Sequence, residues 1–301
     1  MWFKSAITYR FSRAFAFSVE QLEKQLAEFA FTPAKEHSMS SFGWVPPLGP
    51  DCCILHVGQG NLLFTARREE KILPMSVIRR EHKQEIEALE LSEGRQLKKA
   101  EKNALKDKVM ARLVPRAFSK YQDTSILFLT KQNMLVVDAA SAKRAEEVLA
   151  LLRKTVGSLP CVPLTLKEAP ELVMNQWLVG GLPAGMGLSG KAWLSSALAN
   201  GGQVRFANQD LGSDEITACL SADKLPTGLS IDWEQRVEFV LHADFRLTGL
   251  KFSDELREKN EEIPKEDELQ RKDADFILMA GELELMIPGL VELMGGLESG
   301  E

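Results

Sequence analysis

Basic side chains are concentrated between Gly94 and Tyr121, in a segment with nine lysines and arginines but only two acidic residues, Glu101 and Asp107. The whole chain, by contrast, has a formal net charge of −6. Ammonium and guanidinium groups at this density can bind a polyanion, because each one that meets a phosphate releases a condensed counterion. Such contacts position a protein without reading bases. The first chemistry that the sequence offers is therefore anion binding.

Two polar helices are predicted, one just before this basic segment at about 76–91 and one within it at about 95–113. Gly94 interrupts the first helix, and Pro115 stops the second. At about 100° per residue, the second helix gathers its cations in a band about 100° wide. The band consists of Arg95, Lys98, Lys99, Lys102 and Lys106. We expect it to face solvent while the opposite side packs against a neighbour; that side carries Leu97, Ala100, Ala104 and Ala111.

The plainest interpretation of a lysine-rich helix is a solvated surface helix, and two observations favour anion binding instead. A solvated helix mixes charges of both signs to form i,i+4 pairs, whereas this face is nearly single-signed. Like charges on one face also repel each other, and a polyanion relieves that repulsion. From Arg95 to Lys106 the band is about 16 Å long at 1.5 Å per residue. It can therefore meet on the order of three or four DNA phosphates.

Basic and aromatic residues alternate directly after the second helix, in the segment "PRAFSKY" with Arg116, Phe118, Lys120 and Tyr121. An exposed aromatic ring in such a place can wedge into a groove of DNA. It can also anchor a contact between subunits, or simply pack beneath the end of the helix. The residues alone leave these three roles for Phe118 open.

No catalytic, metal or cofactor site is predicted. The four cysteines and four histidines show no CxxC or other ligand spacing. The segment "GMGLSG" matches GxGxxG, but Gly180 to Pro183 stand where a dinucleotide fold needs a strand, so we expect a flexible loop. Acidic residues are plentiful, yet none shows the spacing of a nuclease carboxylate pair. We therefore expect a protein that is not an enzyme.

Strand-like and helix-like periodicities alternate along the chain and predict an α+β protein with mixed or antiparallel sheets. Within it, "GKAWLSSALANGG" is expected to form a short helix. The last helix is expected to pack in the core, with a subunit contact as the alternative.

We expect a central α+β region at 1–75 and 120–170, a projecting basic region at 76–119, and a C-terminal α+β region at 171–301 with an acidic linker and terminal helix. Apolar runs are too short to cross a bilayer, which predicts a cytoplasmic protein.

Long, ordered segments of the sequence match one known family. They include "GWVPPLG", "LKKAEK", "PRAFS", "ASAKRAEEVLALLRKTVGSLP", "FSDELREKNEEI" and "DADFILMAGEL". On these segments the chain resembles the RdgC family of bacterial recombination-associated proteins over essentially its whole length. The resemblance implies an elongated, curved subunit that forms a ring-shaped homodimer with a basic inner surface. It also implies binding of double-stranded DNA with little sequence preference, antagonism of RecA, effects on replication and recombination, and association with the nucleoid, without a small-molecule cofactor.

The matching motifs also carry expectations for single residues. The "LKK" and "PRAFS" segments imply that Lys98, Lys99 and Arg116 face DNA and that Phe118 serves ring closure or the DNA contact. With the charge pattern, the predicted DNA-binding set is Arg95, Lys98, Lys99, Lys102, Lys106, Arg116 and Lys120. Where the family has lysines before Gln209, this chain has Ala207 and Asn208, and whether Arg205 compensates is left open. The alternative function is a protein-interaction module whose basic helices dock an acidic partner such as RecA.

Overall fold

Twelve strands account for most of the fold in the computed structural model, which describes residues 1–13, 18–196, 198, 201–264 and 266–298. They are β1 (Ser5–Phe11), β2 (Ser40–Val45), β3 (His56–Gly58), β4 (Asn61–Ile72), β5 (Phe118–Leu129), β6 (Met134–Val137), β7 (Cys161–Pro163), β8 (Met186–Ser196), β9 (Gln203–Ala207), β10 (Lys224–Trp233), β11 (Val237–His242) and β12 (Leu247–Phe252). Strands β1, β4, β5 and β6 contain runs of consecutive buried residues, as strands covered on both faces require. Strand β11 instead alternates buried and partly exposed residues.

The strands form one large sheet in the order β2-β4-β5-β6-β1-β12-β11-β10-β8-β9, with β3 added on β4 and β7 on β1. Each of these neighbouring pairs is antiparallel. The two halves of the sheet meet at β1 and β12, where only Ser5 with Thr248 and Ala6 with Leu247 are in register. The expected α+β class is confirmed, with a large antiparallel sheet.

Eight α-helices lie in the described part of the chain: α1 (Val19–Glu28), α2 (Met75–Glu93), α3 (Lys99–Leu113), α4 (Ala142–Val156), α5 (Pro170–Gly180), α6 (Asp214–Ser221), α7 (Asp254–Glu258) and α8 (Glu268–Leu293). Local signals set several ends. Ser18 and Gln21 form a capping box at the start of α1. The Ser141 hydroxyl accepts a hydrogen bond from the Arg144 N–H at the start of α4.

The faces of the sheet bury two apolar clusters. Helices α1 and α4 cover one cluster, in which Trp44 and Phe64 pack edge to face at 5.4 Å between ring centroids. Helices α5, α6 and α8 cover the other. Helix α8 lies deep in that second cluster, and Phe276, Met279 and Leu283 have no exposed surface to speak of. The expected core packing of the last helix is confirmed.

Three sequence-based assignments were wrong. The predicted helix "GKAWLSSALANGG" is the second half of strand β8 as far as Ser196; residues 197, 199 and 200 lie outside the described part. Its alanine and leucine content favours a helix, but pairing on both sides, with β10 and β9, decides the outcome. The expected "GMGLSG" loop is also mostly β8, and Gly190 (φ +76°) is needed where a Cβ would lie 3.2 Å from the Gln209 carbonyl oxygen. The two prolines of "FGWVPPLG" predict a rigid loop for that whole segment, but its first four residues, "FGWV", belong to strand β2.

Candidate nucleic-acid interface

An antiparallel ribbon of strands β4 and β5 carries the basic segment, and β2 flanks β4 of this ribbon as far as Glu70. Strands β4 and β5 stay in register from Leu62 with Phe128 to Ile72 with Phe118. Helix α2 follows β4, and α3 leads back through a short 3₁₀ turn, Val114–Arg116, into β5. We call α2, α3 and the turn between them the basic hairpin. The antiparallel ribbon thus fixes the position from which the hairpin projects, because both of its ends leave from adjacent strands.

A buried carboxylate holds the ribbon. Glu69 is 2% exposed and accepts hydrogen bonds from the Ala34 N–H and the Ser119 hydroxyl, both at 2.6 Å. These hydrogen bonds, led by the one from Ser119, hold the pKa of Glu69 below its usual range. The ionised Glu69 therefore ties β4 to β5 and to the segment after α1. Sequence reasoning missed this residue because its partners are far away in the chain.

Leu97 is buried as expected, but the face of α3 itself that packs against α2 is the opposite of the one expected. Ala100, Ala104 and Ala111 are exposed, whereas Val109 is buried. The reason is size: Leu105, Val109 and Leu113 repeat every four residues and bury more apolar area than alanines do. Lys102 and Lys106 flank this apolar stripe and are only partly exposed as a result. The helix also begins at Lys99, so Arg95 lies in the turn and not on the helical face.

Three of the basic residues are paired within the hairpin. Arg95 lies 2.7 Å from Glu93 and 2.6 Å from Glu101. Lys102 lies 3.0 Å from Glu90, across from α3 to α2. Arg112 likewise reaches Glu85 at 2.6 Å and Glu81 at 3.3 Å on α2. The structure therefore gives Arg95 and Lys102, two of the predicted DNA contacts, carboxylate partners that brace the hairpin.

The other cations of the segment form no ion pair with any residue that the structure describes. Lys98, Lys99, Arg116 and Lys120 are exposed, and Lys106 is partly so. Lys108, which the band on the helical wheel did not include, is exposed as well. We call this set the unpaired cations: Lys98, Lys99, Lys106, Lys108, Arg116 and Lys120. They concentrate positive charge on the hairpin and at the adjoining end of β5.

An exposed apolar patch lies at the base of the hairpin. Phe118 is 84% exposed, so the interpretation in which it packs beneath the helix end is wrong. Its neighbour across the ribbon is Ile72, and Met75 begins α2; each is 50% exposed. Tyr121 is 53% exposed and meets the ring of Phe31 edge to face at 6.4 Å between ring centroids. The patch thus places apolar side chains directly beside the unpaired cations.

Arg205 lies in β9, at the far end of the sheet, and its guanidinium contacts an aromatic ring rather than a carboxylate. Its guanidinium lies 5.5 Å from the centroid of the Trp193 ring, which is within cation–π range. It makes no ion pair with a described residue. Ala207 and Asn208, which follow it, provide no cation. Sheet order places this strand at the edge opposite β2, far from the basic hairpin.

The turn of the hairpin is expected to be stable to acid. Glu101 accepts a bidentate interaction from Arg95, which lowers its pKa from an ordinary value of 4.5 to about 2. A carboxyl whose pKa falls on folding stabilises the fold above its unfolded pKa, and this is lost as the pH falls through the folded value. The protection factor of the Lys98 amide, which is its intrinsic exchange rate divided by the rate measured by NMR at the same pH, should stay constant down to about pH 4.5 and fall towards pH 2. Loss of protection of the Lys98 amide near neutral pH would contradict the pairing of Glu101 with Arg95.

Among the described residues, no group of three histidine, cysteine or acidic side chains is arranged to hold a metal ion. In the same part of the chain, no helix is both long and apolar enough to cross a membrane. The four cysteines are all free thiols.

These features define an α+β protein in which one large antiparallel sheet carries a projecting basic hairpin. A family model described as "Putative exonuclease, RdgC" matches residues 1–297, and the chain belongs to the RdgC family of recombination-associated proteins. Curated relatives named "Recombination-associated protein RdgC" include those of Yersinia enterocolitica (serotype O:8 / biotype 1B), Yersinia pestis (strain Pestoides F) and Yersinia pseudotuberculosis (serotype O:1b). Each is 48% identical over 298 residues, which is 98% of either chain. The family resemblance of the sequence is thus confirmed.

Proposed function

We propose that the protein binds double-stranded DNA without sequence preference, as a ring-shaped homodimer whose basic hairpins line the channel. The observation that carries this proposal is the set of unpaired cations on a projecting element of an otherwise acidic chain. A dispersed negative charge repels DNA, so cations on a confined surface focus the field where duplex can enter. Membership of a recombination-associated family supports DNA as the polyanion.

A ring explains how a modest number of contacts can suffice. A duplex inside a closed ring is retained by topology, and a two-fold axis presents each basic surface twice. If each subunit neutralises about three phosphates, the slope of log K against log salt is expected near −5, at about −0.9 per phosphate. Fluorescence anisotropy of a labelled duplex over a series of salt concentrations measures this slope. A slope flatter than about −2 would exclude the unpaired cations as the main binding surface.

Occupying duplex also explains antagonism of RecA without a catalytic step. A protein that encircles DNA limits access of RecA to it, and a nucleoid location follows from unspecific binding. We propose no catalytic residues, metal or cofactor. The description of the family model names an exonuclease, so the direct test is incubation of end-labelled duplex with the protein and Mg²⁺ or Mn²⁺. Intact ends at stoichiometric protein support a binding protein, and progressive loss of the label would overturn this part of the proposal.

Phe118→Ala is expected to weaken duplex binding but to leave the melting temperature unchanged, because an 84% exposed ring contributes little to the core. Sedimentation separates its two roles. If Phe118 joins the subunits, the mass of the particle falls to that of a monomer. If it wedges into DNA, the mass is unchanged and DNA bending is lost. Unchanged mass, bending and affinity together would exclude both roles.

The second candidate function is docking of an acidic protein partner such as RecA on the basic hairpin. The exposed apolar patch around Phe118 favours it, because protein interfaces combine an apolar anchor with a charged rim. Charge reversal on the hairpin separates the two functions. If duplex binding survives while inhibition of RecA is lost, the partner-docking function is correct. If both are lost together, DNA is the ligand.

A further inference from the structure

Side-chain carboxylates from both helices organise the turn of the basic hairpin. Gly94 ends α2 in the left-handed region at φ +66°. The Leu97 N–H donates to Glu90 of α2 at 2.9 Å, and the Lys98 N–H donates to Glu101 of α3 at 2.7 Å. These N–H groups have no partner within a helix, since they precede the first turn of α3. Two acidic residues thus supply the hydrogen bonds that shape the turn.

Glu101 also forms an ion pair with Arg95 in the same turn. Both of its oxygens contact the guanidinium of Arg95, at 2.6 and 3.0 Å, and Arg95 also reaches Glu93 at the end of α2. Fork-to-fork pairs of this kind fix direction as well as distance. Arg95, although it is part of the basic band, is thereby committed to the turn. The adjacent Lys98 and Lys99 remain exposed and without an ion pair to described residues.

We propose that Glu101 is a positioning residue of the DNA interface, which with Arg95 closes the turn and holds Lys98 and Lys99 towards the duplex. This inference rests on the proposed function. A carboxylate in a phosphate-binding surface has two opposed effects. It repels the ligand, and here it orders the cations that bind it. Removing the carboxylate therefore gives an affinity change whose sign tells which effect is larger.

The test compares two variants with the same change of charge. Glu101→Gln keeps one acceptor oxygen but loses the bidentate pair, and we expect it to weaken duplex binding about fivefold to tenfold and to flatten the salt slope by about one. The control is Glu87→Gln on α2, a 63% exposed residue with one long ion pair to Lys83 at 3.6 Å. It removes a carboxylate that repels DNA and also releases Lys83, without touching the turn, so the affinity of this variant for duplex is expected to rise about twofold. Equal melting temperatures for the two variants would show that the difference is not one of folding.

A double-mutant cycle with Arg95→Ala completes the test. If Arg95 acts through Glu101, the double variant is expected to bind no more weakly than either single variant. Additive losses would instead make Arg95 an independent phosphate contact and would overturn its assignment to the turn. A Glu101→Gln protein that binds duplex as tightly as wild type, or more tightly, would overturn the positioning role while the proposed function stands. If wild type itself fails to bind duplex, both fall.

Discussion

Replacing Lys98, Lys99 and Lys106 together by glutamate is expected to weaken duplex binding by at least about 100-fold near 0.1 M salt, because three phosphate contacts per subunit become repulsive. The salt slope is expected to become flatter than about −2, since each lost contact removes about 0.9. Lys102 is left unchanged, because it pairs with Glu90 and its replacement would disturb the hairpin. Anisotropy titrations at several salt concentrations give both quantities.

The matched control reverses three exposed lysines outside the hairpin: Lys24, Lys167 and Lys259. It changes the net charge by the same amount, so any long-range effect of charge on DNA affinity appears in both proteins. We expect the affinity of the control for duplex DNA to fall by less than about fivefold, because exposed charges more than a Debye length from the ligand are screened. Equal losses in the two triple variants would mean that total charge, and not the hairpin, governs binding.

Phe276→Ala is expected to lower the free energy of unfolding by about 3–5 kcal/mol, the usual cost of an aromatic-to-alanine truncation in a packed core. Phe276 has no exposed surface and packs with His56 of β3 at 5.1 Å between rings. It also lies against Gly58, where a Cβ would come within 2.7 Å of the ring. The side chain thus joins α8 to the part of the sheet that leads into β4. Denaturant unfolding measures the loss.

Leu285→Ala on the same helix is the control for this prediction. Leu285 is 69% exposed, so its truncation is expected to change the free energy of unfolding by no more than about 0.5 kcal/mol. A similarly small loss for Phe276→Ala would mean that α8 is not held to β3 in solution. Below its unfolding transition, the Phe276→Ala protein should keep the wild-type salt slope, because the unpaired cations are unaffected.

Local signals in the sequence were sufficient for the elements that depend on them. Gly94 ends α2 as predicted, and Ser18 with Gln21 and Ser141 cap helices α1 and α4, as their residue types favour. The hairpin between β3 and β4 follows from Gln59 and Gly60, both of which adopt positive φ. These features involve residues only a few positions apart, so a short segment of sequence contains the interactions that determine them.

The predictions that were wrong concern features that depend on contacts between residues far apart in the sequence. Strand β8 has helix-forming residues, but pairing with β9 and β10 outweighs them. The buried side of α3 follows from the stripe of Leu105, Val109 and Leu113 against α2, which a count of charges does not detect. The split between paired and unpaired cations depends on acids from α2, 12 residues from Lys102 in the case of Glu90. Sequence reasoning thus found the basic segment but not which of its cations are free.

Salt challenge of protein loaded on closed circular DNA tests the central claim most directly. A ring around a duplex should stay on a closed circle at a salt concentration that abolishes binding to linear DNA, and a single restriction cut should release it. We predict this difference between circle and linear form for wild type. Equal loss of protein from closed circles and from linear DNA at every salt concentration would contradict encirclement.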